Sequence, residues 1–374
     1  MPLSLIDKLG IDVSKLDEKK EQTTYKIKYI AKYVESWVLV NENRASVTSI
    51  NFIDCMCNAG IYKDGDLSTA VEVFKLFIQA AIKHPEITFN LLLNDLIIER
   101  IEICSQIIAE ISESHQPSNL VVSTSCQDVN DYVAGLRRKM ANLGFGATIL
   151  YVDPYNLTTV DVKKLSDLLK HKEIYCEVLF NLDTQHFVRD KDDGRISQCF
   201  DGLSISTKDD LLQATEHFLR VGAINHVFGY KFHNMNDVEL YQIVFATPHL
   251  RGLEKLKDAI WEVFKGKEHH RNIKGFAMQT TLWNESEIED RVSKYAPDAR
   301  EIVMRYFSGK SCVNYEDIEA YIIENTMLAA NHIIQSVLKP LIKDGRVEKL
   351  NLVGNRNNYH DDKYNFQFQG ADKE

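Results

Sequence analysis

Two hydrophobic patterns alternate along the first two thirds of the chain. Short continuous apolar runs, typical of strands buried on both faces, alternate with stretches in which apolar residues recur every three or four positions, as on one helix face. The predicted strands are 47–54, 88–94, 120–124, 147–153 and 177–182, and the predicted helices are 24–40, 68–83, 97–111, 129–141, 160–169 and 208–221. This alternation predicts a parallel sheet with crossover helices.

The pattern changes after residue 221. Two further apolar strands, 226–232 and 239–247, are separated only by the turn-rich link 233–237, so we expect them to pair antiparallel. Five parallel strands followed by such a hairpin predict an α/β fold with a Rossmann-like sheet of the class I methyltransferase type, ending in an antiparallel hairpin.

The last part of the chain is different again. Helices are predicted at 299–306, 315–324 and 328–342, followed by strands at 346–353 and 363–368 on either side of a polar loop, 354–362. Three helices and a hairpin favour a winged-helix-like domain. The predicted organisation is an N-terminal arm (1–23), a Rossmann-like methyltransferase-type domain (24–265), a linker (266–285) and a winged-helix-like domain (286–374).

Composition narrows the class of protein. With 374 residues, 44% of them hydrophobic and 26% charged, the chain suits a soluble two-domain protein. A net charge of −10 argues against a general positive field, so any contact with nucleic acid must be local. The seven cysteines are odd in number and mostly lie in apolar runs, which favours reduced thiols. Without a long apolar run or a signal-peptide pattern, we expect a cytoplasmic protein that does not enter a membrane.

The first strand ends at Asp54 and is followed by a turn with the sequence Cys-Met-Cys-Asn-Ala-Gly. S-adenosylmethionine needs a tight turn at this place, and small residues such as Gly60 allow the backbone to approach it. Asp54 would accept from the cofactor's ammonium group. Asn58 stands where the usual pattern has glycine, and asparagine tolerates left-handed backbone better than most residues. The alternative is an ordinary strand-to-helix turn with a buried aspartate.

Two more acids follow the next two strands. Asp95 is placed to accept from two ribose hydroxyls, although a surface acid is the alternative. Asp128 is placed to bind the adenine amino group, and capping of the helix 129–141 is an equal alternative. Together with Asp54, these acids are predicted to line the crevice at the carboxyl ends of the strands, where open parallel sheets bind ligands.

The fourth strand leads into Asp153, Pro154 and Tyr155. Enzymes that methylate amino groups carry Asp/Asn-Pro-Pro-Tyr/Phe here: the acid and a proline carbonyl accept from an exocyclic amino group, and the ring stacks on a base that is flipped out of a duplex. One proline is missing in this chain. Asp153 is still predicted to polarise an amino or hydroxyl group, and Tyr155 to stack. A simple Asp-Pro-Tyr turn is the alternative.

Two other polar groups invite a functional interpretation. Cys55 and Cys57 suggest metal or redox chemistry, but no second Cys/His pair lies at ligand spacing, so we predict packing residues and no metal site. The basic stretch around 268–271, Glu-His-His-Arg, is placed to touch phosphate. A solvated interdomain linker is the commoner explanation of such a stretch.

Several segments together resemble the three-Cys-motif partner proteins (TcmP). The resemblance is carried by Ile-Asp-Cys-Met-Cys-Asn-Ala-Gly-Ile-Tyr-Lys-Asp-Gly at 53–65 and Tyr-Val-Asp-Pro-Tyr at 151–155, with 26–33, 177–181, 186–189 and 256–261 in matching order. Asn58 and Asn156 depart from the family pattern, which has glycine at both places. The resemblance implies a methyltransferase-like fold and a radical-type, cysteine-motif partner protein.

The leading hypothesis is a methyltransferase that uses S-adenosylmethionine and acts on nucleic acid, for instance on an exocyclic amino group. In it, the cofactor is held by Asp54, Asn58, Gly60, Asp95 and Asp128, and the acceptor is oriented by Asp153, Pro154 and Tyr155. A second hypothesis is a catalytically degenerate module that binds nucleic acid or a partner protein in a mobile-element or defence context. A third is a metal-dependent nuclease using three of the same acids.

Overall fold

The computed structural model describes residues 4–112, 117–143, 146–171, 175–190, 193–272, 285–351 and 364–370. The chain forms two compact units: residues 1–252 with 269–274, and residues 253–268 with 275–374. The predicted loop 354–362 and residues 273–284 of the predicted linker lie outside the described residues.

The first unit is built on an eight-stranded sheet. Its strands are β1 (Ser49–Asp54), β2 (Thr88–Asp95), β3 (Leu120–Cys126), β4 (Gly146–Val152), β5 (Cys176–Leu182), β6 (His226–His233), β7 (Glu239–Thr247) and β8 (His269–Arg271), in the order β3-β2-β1-β4-β5-β7-β6-β8. Strands β1 to β5 are parallel to one another, and β7 is antiparallel to β5 and β6. The predicted parallel sheet with a terminal hairpin is confirmed. Its order reverses between β1 and β4, as in doubly wound sheets.

Helices cover both faces of this sheet. They are α1 (Leu5–Leu9), α2 (Glu21–Asn41), α3 (Thr69–Lys83), α4 (Ile98–Ser112), α5 (Val129–Ala141), α6 (Val162–Leu169), α7 (Thr184–Arg189), α8 (Gly194–Cys199) and α9 (Lys208–Leu219). The next helix, α10 (Leu250–Phe264), belongs to the second unit from residue 253 onward. On one face, Tyr33 of α2 meets Phe245 with ring centroids 5.0 Å apart, and Phe77 of α3 meets Phe89 at 5.4 Å. On the other, α5, α6 and α9 share a buried apolar cluster with the strands around Leu150.

The short elements α7, α8 and β8 were not predicted from the sequence. His269–Arg271, interpreted above as part of a solvated linker, instead form β8, which pairs in parallel with β6. His270 in the middle of β8 is buried, and its ring centroid lies 4.1 Å from that of Tyr25 and 5.7 Å from that of Phe232. This aromatic packing fixes the strand, and three residues are too few to give a periodic signal.

The second unit contains a small antiparallel sheet and a group of helices. The elements in it are α11 (Glu285–Phe307), β9 (Val313–Asn314), α12 (Tyr315–Asn325), α13 (Ala330–Ile333), α14 (Lys339–Lys343), β10 (Val347–Asn351) and β11 (Tyr364–Phe368). Strand β11 pairs antiparallel with β10 and with β9. Helix α10 packs within this unit, where the indole of Trp261 donates to the carbonyl of Met327 at 2.8 Å.

Two helices of this unit differ from the prediction, and each difference involves a proline. The helix predicted at 299–306 is the end of α11, which passes through Pro297. Tyr295 and Ala296 just before it are buried, and the proline has no N–H for the preceding turn of the helix. The single helix predicted over 328–342 is divided into α13 and α14 by a π-helical turn, Ile334–Leu338. Pro340 follows that turn and has no N–H for the preceding turn of helix.

No helix within the described ranges is long and apolar enough to cross a membrane.

Candidate functional site

A polar cavity of about 380 Å³ opens at the carboxyl ends of β1, β2, β4 and β5. This is where the strand order reverses, the usual ligand-binding place in an open α/β sheet. Its volume lies within the range of ligand pockets, roughly 300–1,000 Å³. Six of the eight predicted site residues line it: Asp54, Asn58, Asp95, Asp153, Pro154 and Tyr155.

Asp54 is the most deeply buried acid of the cavity wall. It ends β1, is 1% exposed, and its Oδ1 accepts from the backbone N–H of Met56 at 3.0 Å. Burial raises its pKa to about 8, and the negative charges of Asp153 and Asp95 act in the same direction. A bound cation beside this carboxyl would reverse that shift, because it favours the ionised form.

The turn after β1 is fixed by Asn58 and Asp95. Asn58 has a φ of 61°, which is the left-handed conformation that asparagine tolerates and most residues do not. Its N–H donates to Oδ2 of Asp95 at 3.1 Å, and Oδ1 of Asp95 accepts from the N–H of Ile97 at 3.0 Å. Asp95 therefore ties the ends of β1 and β2 together, and each of its oxygens keeps a lone pair for a ligand.

Gly60 and Asp128 are not part of the cavity wall that the described residues form. Gly60 has a φ of 80°, and a Cβ there would lie 3.1 Å from both Cys104 Sγ and Val71 Cγ2, so glycine lets the turn pack on α3 and α4. Asp128 caps α5, its Oδ1 accepting from the N–H of Asn130 at 2.8 Å. Of the two interpretations of Asp128, the structure shows the cap.

Asp153 is held by three donors. Its Oδ2 accepts from the ammonium of Lys26 at 2.5 Å and from the hydroxyl of Tyr151 at 2.9 Å, and its Oδ1 accepts from the amide of Asn181 at 2.6 Å. Lys26 is 7% exposed. The side-chain oxygen of Asn181, Oδ1, is buried without a hydrogen-bond partner in the described part of the chain. The arrangement is a partly buried ion pair beside an acceptor oxygen that has no donor in the described part of the chain.

Tyr155 stands at the exposed rim of the cavity, 61% accessible. Its hydroxyl donates to Asp17 and accepts from the guanidinium of Arg100 at 2.7 Å. That guanidinium carbon lies 5.1 Å from the centroid of the tyrosine ring. Burial and the hydrogen bond to Asp17 raise the pKa of Tyr155 to about 12, so the phenol stays protonated at neutral pH.

Asp17 comes from the N-terminal arm and joins these groups. Besides Tyr155 it accepts from Arg100 at 3.2 Å and from the side-chain amide of Asn58 at 2.9 Å. No sequence signal marked it. Lys26 and Asn181 were also missed, although the sequence contains a signal for each. Lys26 is a cation on the same helix face as the buried Tyr29 and Tyr33 of α2. Asn181 is a polar residue in the mostly apolar strand β5.

Cys55 and Cys57 lie behind the turn and are buried, with free thiols. Burial raises the pKa of Cys55 well above its usual value, and a hydrogen bond with Cys104 does so for Cys57. Thiols of this kind are unreactive packing groups.

The chemistry available in the cavity follows from these contacts. Carboxylates and amide oxygens at the strand ends accept hydrogen bonds from hydroxyl and ammonium groups. Lys26 and Arg100 supply positive charge, and Tyr155 presents an aromatic face. The site therefore suits a ligand that combines an ammonium group, hydroxyls and a ring.

No family profile matches the chain, and no curated protein sequence is significantly similar to it. Solved structures that the chain resembles include a Legionella pneumophila protein of family DUF519 (9% identity over 64% of this chain and 90% of that one, TM-score 0.37). Another is a putative class I S-adenosylmethionine-dependent methyltransferase of Listeria monocytogenes (10% identity over 59% of this chain and 60% of that one, TM-score 0.32). A third is the 16S rRNA (adenine(1408)-N(1))-methyltransferase of Catenulisporales acidiphilia (14% identity over 57% of this chain and 90% of that one, TM-score 0.30). With identities of 9–14% and TM-scores below 0.5, these likenesses carry no argument about any residue or reaction of this chain.

Proposed function

We propose that this chain is a methyltransferase that uses S-adenosylmethionine and acts on nucleic acid. The observation that carries the proposal is the meeting of Asp54, Asp95 and Asp153 in one polar cavity, at the carboxyl ends of three neighbouring strands and at the point where the strand order reverses. Ligands of open α/β sheets bind at this point.

The residues present fit the cofactor. Asp54 is a buried acid with a raised pKa of about 8, and within the described residues only the N–H of Met56 donates to it, so a cationic ammonium group suits it. Asp95 keeps lone pairs for ribose hydroxyls. S-adenosylmethionine, when bound, supplies a methyl group attached to a positively charged sulfur.

Asp153 and Tyr155 are the residues that we assign to the acceptor. The carboxylate of Asp153 is held in place by Lys26 and Asn181, and it accepts a proton or a hydrogen bond from an amino or hydroxyl group. The exposed ring of Tyr155 offers a stacking surface for a base. Pro154 fixes the chain between them. The exocyclic amino group of a base is one acceptor that this pair fits.

The second unit supports a nucleic-acid substrate. Its element order, with a short strand after the first helix and a terminal hairpin, is the one that we assign to a winged-helix-like domain. Tyr306 on α11 is 51% exposed and stacks on Tyr321 with ring centroids 4.0 Å apart. The ammonium of Lys310 lies 4.4 Å from the Tyr306 centroid. An exposed tyrosine beside a cation offers stacking and a phosphate contact on a chain whose net charge is negative.

A relationship with the three-Cys-motif partner proteins is part of the proposal. It rests on the segments around Asp54 and Asp153 quoted above and on the cavity that these segments form. It implies a radical-type, cysteine-motif protein as a partner of this chain.

Calorimetry with the full chain tests the proposal. S-adenosylmethionine and its demethylated product should both bind, and Asp54→Asn should weaken binding at least tenfold, which is about 1.4 kcal/mol. Asp209→Asn, an exposed acid on α9, is the matched control and should change nothing. No heat with either ligand, or equal binding by Asp54→Asn, would overturn the cofactor assignment.

Transfer of a labelled methyl group to DNA and RNA oligonucleotides tests the acceptor. Asp153→Asn should abolish transfer while leaving calorimetric binding of the cofactor intact. Metal-dependent cleavage of the oligonucleotides without any methylation would favour the nuclease hypothesis instead.

One observation favours a second candidate function, a module that binds nucleic acid or a partner protein without catalysis. The two groups assigned to the acceptor are already engaged within the chain: Asp153 by Lys26, and Tyr155 by Asp17 and Arg100. In that case, oligonucleotide binding measured by gel shift should persist in Asp54→Asn and be lost in Tyr306→Ala. Methyl transfer by the wild-type chain would exclude it.

A further inference from the structure

His233, Asp237 and His269 converge at the edge of the large sheet, outside the cavity described above. Oδ1 of Asp237 lies 3.0 Å from Nδ1 of His233 and 3.1 Å from Nε2 of His269. One potential ligand atom from each residue lies within 4.8 Å of the other two. The imidazole rings are stacked, with centroids 4.0 Å apart and planes 18° from parallel.

The backbone fixes this arrangement from two directions. In the β6–β8 ladder, Lys231 is opposite His269 and His233 is opposite Arg271, so the two histidines share one face of neighbouring strands. Asp237 comes from the turn between β6 and β7.

That turn is itself ordered by hydrogen bonds. Oδ1 of Asn234 accepts from the N–H groups of Asn236 and Val238 at 2.9 and 3.0 Å. Asp237 has a φ of 62°, which is the left-handed conformation that aspartate adopts in tight turns. The carboxylate is therefore presented to the histidines by ordered backbone.

We propose that His233, Asp237 and His269 form a binding site for a divalent transition-metal ion of the zinc type. Two imidazoles and a carboxylate are ligands that such ions select. Bonds of about 2.0–2.1 Å in tetrahedral geometry separate neighbouring ligand atoms by about 3.3 Å. The two separations from Asp237, 3.0 and 3.1 Å, need only a small expansion, and the two histidine nitrogens lie within 4.8 Å of each other. Water would complete the fourth position.

The nitrogen of His233 that faces the site is Nδ1, which lies 3.0 Å from Oδ1 of Asp237. Nε2 of His233 is buried and has no hydrogen-bond partner within the described residues, which leaves Nδ1 as the coordinating atom.

Arg271 limits the affinity of the site. A terminal guanidinium nitrogen lies 4.0 Å from Oδ2 of Asp237, and the guanidinium is held by two hydrogen bonds to the carbonyl of Met235 at 3.2 and 2.8 Å. A fixed positive charge at that distance opposes a cation. The ion would join β8 to the β6–β7 turn, a structural role independent of the proposed methyltransferase activity.

Zn²⁺ titration of the chelator-treated full chain by calorimetry tests this site, with the visible absorption of Co²⁺ as a second readout of tetrahedral coordination. We expect one site per chain that Asp237→Asn and His269→Gln each weaken tenfold or more. Asparagine tolerates the left-handed backbone of position 237, so that variant should stay folded. His217→Gln, an exposed histidine on α9, is the control.

Arg271→Gln should bind Zn²⁺ several-fold more tightly, because an opposing charge is removed. Thermal unfolding of each variant without metal checks that the fold persists. If the wild-type chain binds no Zn²⁺, or if Asp237→Asn and His217→Gln bind it equally, the assignment is wrong. The assignment is also wrong if His217→Gln is the only variant that loses Zn²⁺ binding, because the ion would then lie elsewhere.

Discussion

Replacement of Asp54 by asparagine should change how the stability of the first unit depends on pH. Asparagine has nearly the shape of aspartate and keeps an oxygen that can accept from the N–H of Met56. In the wild type that N–H donates to Oδ1 of Asp54 at 3.0 Å. It cannot ionise. The difference between the wild type and Asp54→Asn therefore isolates the titration of one buried carboxyl.

The sign and size of the effect follow from the pKa. Burial raises the pKa of Asp54 from 3.8 to about 8, so the folded chain binds this proton more tightly than the unfolded chain. The stability that this carboxyl contributes is complete below about pH 4 and is lost as pH rises through 8. Each pKa unit corresponds to about 1.4 kcal/mol. The wild type should therefore lose about 4 kcal/mol relative to Asp54→Asn by pH 7, and at most about 6 kcal/mol above pH 8.

Urea unfolding between pH 5 and pH 9 measures this difference. Trp37 is buried on α2 and reports the first unit by fluorescence when Trp261 and Trp283 are replaced by phenylalanine. A difference in unfolding free energy that stays constant over this range would refute the reasoning. It would mean that Lys26 and the surrounding dipoles keep Asp54 ionised throughout.

Three further predictions each concern a single residue. Gly60→Ala should destabilise the fold by about 1–3 kcal/mol in urea, because its Cβ would meet Cys104 Sγ at 3.1 Å, whereas Gly65→Ala, with open space around it, should lose less. Burial holds the pKa of Lys257 well below its usual value, so the wild type should gain stability relative to Lys257→Met as pH rises toward 10; a constant difference in unfolding free energy would contradict this. Burial lowers the pKa of His332 to about 4, so stability should be lost as pH falls from about 6.5 to 4, by about 2 kcal/mol once partial exposure is allowed for. His332→Gln should lack that loss when thermal unfolding is compared at pH 7 and pH 4.5.

The sheet was predictable because its strands are buried on both faces. All seven residues of β5 are buried, and five of them are apolar, which is how burial on both faces shows in the sequence. Helix α5 has the predicted bounds, 129–141, because Asp128 caps it and its buried residues recur at helical spacing. Strand β8 was not predictable, since its pairing with β6 depends on tertiary contacts of His270 and not on local pattern.

The candidate site was predictable only where a strand ends in a polar residue. Asp54, Asp95 and Asp153 meet because the carboxyl ends of parallel strands share one edge of the sheet. Asp17 and Lys26 reach the same place from the N-terminal arm and α2, and their partners are distant in sequence: Lys26 pairs with Asp153, 127 positions away. The sequence around a charged residue does not indicate a partner so far away, so the roles of Asp17 and Lys26 become visible only in the folded chain.

The two positions that depart from the TcmP pattern are structurally different. Asn58 takes the left-handed backbone that glycine would have taken, and its side chain bonds Asp17 of the arm. Asp17 also bonds Tyr155, the residue just before the second departure, Asn156. Asn156 itself caps a short 3₁₀ helix, its Oδ1 accepting from the N–H of Thr158 at 3.1 Å. The first departure thus anchors the arm to the turn after β1, and the same arm residue reaches the Asp-Pro-Tyr segment. Since one carboxylate joins both segments, the N-terminal arm belongs to the site, and the geometry of either segment depends on it.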